Sequence, residues 1–141
     1  MIQGIQNFLE EAGEAGCYVL SLASVAVEAE RLEVDIVSVM LRGVSAGFIH
    51  YNSLDSNDND NFFVNDPSGF LGLMTGHQWE VRKEGPQYCP SFGEYEIDRW
   101  ERVKTGHTSG HFNRPNWEPY IGSLTVKYGA IVSKRICKRI G

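Results

Sequence analysis

The sequence predicts an α+β fold, with helices up to about residue 77 and a mainly antiparallel sheet after it. Apolar residues recur at helical spacing in the first part of the chain, beginning with Ile2, Ile5, Phe8 and Leu9. From residue 78 the period changes to two, most cleanly in Tyr95-Glu96-Ile97-Asp98-Arg99-Trp100. At 141 residues the chain has room for one core, so a single domain over residues 1–141 is expected.

The first helix is expected over residues 2–11, and Gly13 and Gly16 interrupt the chain after it. Residues 17–29 follow, with Val19, Leu20, Leu22, Ala23, Val25, Ala26 and Val27 apolar on nearly every side. Such a helix needs cover on nearly every side and takes the centre of the fold. Cys17, Leu20, Ser21 and Ser24 share one stripe of it, and the small polar residues there admit a close neighbour. A second amphipathic helix is expected over residues 33–43, with Val34, Val37, Met40, Leu41 and Val44 turned inward and Gly43 and Gly47 as stops. Residues 52–61 read as a polar loop. Asp66-Pro67 then supplies an N-cap and a first turn for a short helix ending near Thr75. Strands are expected at 79–82, 95–100, 110–112, 117–120, 124–127 and 130–137, with Tyr128-Gly129 in the last hairpin.

The composition is that of an ordinary globular chain, 42% hydrophobic and 22% charged. A net charge of −5 argues against a nucleic-acid partner. Lys134, Arg135, Lys138 and Arg139 read as a solvated strand end. The three cysteines, Cys17, Cys89 and Cys137, are too few and too scattered for a disulfide framework and contain no CxxC pair for zinc. Free thiols point to a reducing compartment. Met1 to Ile5 carries no basic segment followed by an apolar one, and no apolar run approaches the roughly 20 residues of a membrane span. A cytoplasmic protein that works without a membrane is expected.

The chemistry concentrates at Gly16-Cys17-Tyr18 and, about ninety residues later, at Ser109-Gly110-His111-Phe112. A thiol is a weak nucleophile until it ionises, and both a helix N-terminus and a nearby imidazolium favour the thiolate. The start of the helix also offers backbone N–H groups as part of an oxyanion hole. Of four histidines, His50, His77 and His107 lack a helpful context. His111 stands in a strand setting, after a glycine that leaves its approach to the central helix unobstructed. If Arg114-Pro115 is the centre of a tight hairpin, His111 faces Glu118, whose carboxylate can accept the imidazole N–H. A longer loop with another register makes Asn113 or Asn116 the orienting group instead.

With GCY at a helix start, SGHF on a strand and a Trp-acid-Pro element after it, the chain resembles the papain-like cysteine peptidase superfamily. Gly85 to Trp100 and Trp117 to Ile136 share in the likeness. Within that superfamily it is most similar to the bacteriocin-processing (double-glycine) peptidase-like group and to small members carried by bacteriophages, prophages and plasmids. The resemblance implies a papain-like α+β fold, a nucleophile at Cys17, a base at His111 and an orienting acid at Glu118, where the family's aspartate is one methylene shorter. The family often places a glutamine about six residues before the cysteine, and here that residue is Glu11. Gln6 or Gln3 would have to take its place in the oxyanion hole.

Asp55, Asn57, Asn59 and Asp66 match calcium-loop positions, but the glycine such a loop needs is Asp60, and a solvated acidic loop is the reading kept. Cys89 and Cys137 read as structural, and Trp79, Trp100 and Trp117 as core. The functional expectation is a hydrolase of peptide or amide bonds with a Cys–His–(Glu or Asn) site. It would need no cofactor or metal, and a peptide or protein is its substrate. The alternative is a silent papain-like domain of a phage or other mobile element that acts as a binding protein.

Overall fold

A computed structural model of the chain describes residues 16–51, 62–119 and 122–141. The helix expected over 2–11, Gln3, Gln6, Glu11 and the acidic loop at 52–61 lie outside the described residues.

Helix α1, Cys17–Glu30, is the central helix anticipated from its apolar run. Val19, Leu22, Val25 and Ala26 are buried, while Val27 reaches solvent near its end. Helix α2, Ile36–Ser45, starts later than expected because Asp35 is its N-cap and accepts from the Ser38 N–H. Its inner face also differs. Val39, Met40 and Gly43 are buried, whereas Val37 and Leu41 are 39% and 46% exposed. Gly43 does not stop the helix. A Cβ there would stand 2.7 Å from Ile49 Cδ1 and 3.0 Å from the Phe70 ring, so the glycine permits close packing, and Gly47, at φ +82°, makes the turn.

Strands β1, Ile49–Tyr51, and β2, Phe62–Val64, form a small antiparallel pair that flanks the acidic loop. Helix α3, Pro67–Thr75, begins as expected, with Asp66 Oδ1 accepting from Gly69 N–H at 2.9 Å. Strands β3 (Trp79–Glu84), β4 (Glu94–Lys104), β5 (His107–Asn113) and β6 (Ala130–Arg139) form an antiparallel sheet in the order β3-β6-β4-β5. Two expected strands are absent among the described residues. Leu124–Tyr128 is a short helix, α4, capped by Ser123, so Tyr128-Gly129 turns no hairpin. Five residues are too few for period two and period 3.6 to be told apart. Of the strand at 117–120, one bridge remains, Arg114 with Trp117. Pro119 has no N–H with which to extend it.

One sheet face carries Trp79, Val81, Tyr95, Ile97, Phe112 and Cys137 and packs on α1 with Phe70 and Leu71 of α3. The other carries Glu96, Asp98, His111, Asn113 and Lys134, in the alternation that the register dictates. Tertiary contact between α1 and the edge strand β5 brings the two ends of the candidate site together. No helix among the described residues is long and apolar enough to cross a membrane.

Candidate active site

Cys17 is the first residue of α1 and stands against the outer edge of β5. Its Sγ accepts from the backbone N–H of Phe112 at 3.4 Å. Strand β5 is an edge of the four-stranded sheet, so an outward N–H there needs a partner from outside the sheet. The next ring along, Phe112, stacks on Tyr18 with centroids 4.2 Å apart and planes 14° from parallel. It is therefore Phe112 that meets the central helix face to face, and His111 alternates to the other side with Asn113. Covalent geometry still holds the thiol close to the histidine. A sulfur bonded to the Phe112 N–H lies within about 6 Å of the His111 Cα.

His111 is only 4% exposed. Its Nε2 is hydrogen-bonded to Glu118 Oε1. Asn113 Nδ2 donates to Glu118 Oε2 at 3.0 Å, and Asn113 Oδ1 accepts from Trp100 Nε1 at 2.9 Å. Glu118 thus binds His111 and Asn113 together, and Asn113 supports the carboxylate rather than replacing it. The register differs from the expected one. Arg114 and Trp117 exchange backbone hydrogen bonds, so Pro115-Asn116 is the turn and Glu118 stands next to Asn113, reaching His111 diagonally. Asn116 is left at the tip.

Arg114 fastens this hairpin. Its Nε donates to the Glu96 carbonyl at 3.1 Å, and its Nη1 reaches Ser24 Oγ at 3.4 Å and pairs with Glu28 on α1. The carrier of Glu118 is tied to the helix that carries Cys17.

The thiol is 9% exposed, more enclosed than a cysteine at an open helix start. Burial pushes it up from its ordinary value, while the Phe112 N–H, the Arg99 guanidinium and the Tyr18 N–H pull it down and the Glu118 charge adds to the rise. That upward direction is opposite to the one a helix N-terminus alone would give. The N-cap of α1 is Gly16, which has no side chain to cap the first-turn N–H groups.

Gly110 serves a purpose other than access to His111. A Cβ there would collide with the Arg99 guanidinium, which lies in that slot and 4.9 Å from the Phe112 ring centroid. Arg99 was legible only as one of an alternating set, yet an arginine in step with Tyr95 and Ile97 on the core-facing side is itself a signal. A groove of about 260 Å³ between Leu20, Ala23, Val27, Val34, Ile36 and Trp117 runs along α1 and continues past Ser24 toward Glu28 and Arg114. Cys137 is buried in the core, but Cys89 is exposed rather than structural. Among the described residues, no group of three or more His, Cys, Asp or Glu side chains could hold a metal ion.

Comparison of the chain with protein-family models, with curated proteins and with solved structures returns no match.

Proposed function

We propose that the chain is a papain-like cysteine hydrolase that cleaves a peptide or amide bond through an acyl-thioester. The observation that carries this reading is the junction of Cys17 Sγ with the Phe112 N–H, next to a histidine whose Nε2 is held by a carboxylate. With Nε2 committed to Glu118, Nδ1 is the ring nitrogen that would take the thiol proton. Sγ then adds to the carbonyl carbon, and the negative charge on its oxygen is met by first-turn N–H groups of α1. Collapse breaks the C–N bond and the departing amine takes the proton back from His111. Water, deprotonated by the same imidazole, cleaves the thioester and restores the thiol. Glu118 orients the ring and balances its charge throughout. The groove along α1, one turn from the thiol at Leu20, offers an extended substrate an apolar seat.

The enclosed, up-shifted thiol favours a second reading, a silent papain-like domain that binds a partner. Alkylation separates the two. Iodoacetamide at pH 7, with modified sites located by mass spectrometry, should label Cys17 about tenfold faster in the native protein than in His111→Gln. Exposed Cys89 serves as the internal reference. Equal Cys17 rates in both proteins would leave the thiol without a base and the binding role standing.

A further inference from the structure

Beside the thiol, the sheet presents a cation that the hydrolytic steps above do not use. Arg99 pairs across the strands with Phe112, whose N–H binds Cys17 Sγ. Its guanidinium crosses β5 and occupies the space that a side chain at Gly110 would fill. Gly110 and Phe112 are two strand residues apart, so guanidinium and thiol are separated by about 7 Å along the edge. Arg135 lies on the same face, 5.5 Å from the Phe112 centroid, with Nη1 turned to Ser133 Oγ at 2.9 Å.

These two cations are weakly neutralised. Among the described residues, the carboxylate nearest Arg99 is Glu101, at 3.9 Å, and no ion pair to Arg135 is present. On β3 and β6, by contrast, Arg82 pairs with Glu94 at 2.6 Å and Arg139 with Glu30 at 3.1 Å. A half-exposed guanidinium held by a ring face and a glycine slot, with only a distant carboxylate, is preorganised for an anion from outside. Its field also opposes the burial of the Cys17 thiol.

We propose that Arg99 is the specificity residue of this site and that the substrate carries a carboxylate within about one residue of the bond that Cys17 attacks, a spacing consistent with backbone reach. An acidic side chain flanking the scissile bond and a free C-terminal carboxylate both meet this description. The inference rests on the hydrolase reading for its placement of Cys17.

The test compares two alkylating agents of similar size, anionic iodoacetate and neutral iodoacetamide, at Cys17 in low salt. Their rate ratio cancels any change in thiol ionisation, so it reports the local cation alone. Arg99→Ala should lower the iodoacetate-to-iodoacetamide ratio about fivefold, Arg99→Lys should restore part of it, and 0.5 M salt (roughly a 4 Å screening length) should erode it in the native protein. A ratio identical in native protein and Arg99→Ala would overturn the proposal while leaving the base test with His111→Gln unaffected. Should Cys17 resist both reagents, the amide resonances of Gly110 and Phe112 give an answer without the thiol. They should shift with N-acetyl-aspartyl amide and not with N-acetyl-asparaginyl amide, in a manner lost with Arg99→Ala. Equal responses to the two probes would refute the anion site. To tell the two sources of carboxylate apart, N-acetyl-glycine is titrated alongside: a stronger response to it identifies a C-terminal carboxylate.

Discussion

Glu118 holds His111 from a position beside Asn113, so one carboxylate clamps two residues of the same strand. Oε1 takes the imidazole and Oε2 takes the amide, and Trp100 fixes the amide from the far side. The ring is thereby held by a chain of side chains rather than by a single contact.

That chain makes Glu118 testable by chemistry and by stability. Glu118→Ala leaves two buried polar groups without their acceptor, and should cost about 1–3 kcal/mol in urea unfolding. Glu118→Gln keeps a side-chain oxygen and should cost less, yet slow Cys17 alkylation nearly as much, since it no longer balances an imidazolium. A full alkylation rate in the Gln variant would show that the charge is irrelevant.

Arg114 should act at a distance. Arg114→Ala frees the hairpin tip from Glu96, Ser24 and Glu28 without touching Cys17 or His111. The expected result is a two- to tenfold slower Cys17 reaction, in line with the cost of misplacing an orienting group. Hydrogen exchange at the Arg114 and Trp117 amides should accelerate in parallel. Unchanged exchange at both amides would mean that the turn holds itself.

Cys17→Ser should be tolerated better than Cys17→Ala. Serine retains an acceptor for the Phe112 N–H, whereas alanine leaves that edge group unpartnered and a small void, at a cost of about 1–2 kcal/mol. Thermal melts of the two variants check this, and a more stable Ala variant would contradict the 3.4 Å contact.

Asp98 gives the protein a pH signature. It is 4% exposed, and burial, then the neighbouring Glu96 carboxyl, raise it from 3.8 to about 7. A raised carboxyl favours folding while it is protonated. Its contribution is therefore whole below pH 3.8 and is lost as pH rises to about 7. Asp98→Asn should remove that loss and stabilise the protein most at pH 8, with little effect at pH 4. A melting temperature lowered equally at both values would show that the carboxyl serves a hydrogen bond rather than carrying a burdened charge.

Composition and pattern by themselves determined the α+β order, the central helix from Cys17, the Asp66-Pro67 helix start and the core strand through Ile97. Each rests on local chemistry: an unbroken apolar run, a capping carboxylate before proline, a clean alternation. The pairing of His111 with Glu118 was also legible, because seven residues around a turn leave few ways to meet. The expected register is one residue off, although proline prefers the first central position of a turn and so favours Pro115-Asn116; the contacts of Arg114 with Glu28, Ser24 and Glu96 fasten that choice. Nor could the chain alone reveal α4, whose five residues fit a helix or a strand equally, or Gly43 as a packing site, which exists only because Ile49 and Phe70 close over it. The enclosure of Cys17 and the seat of Arg99 at Gly110 belong to tertiary structure for the same reason. Burial and cross-strand neighbours are properties of segments far apart in sequence, and only folding sets them side by side.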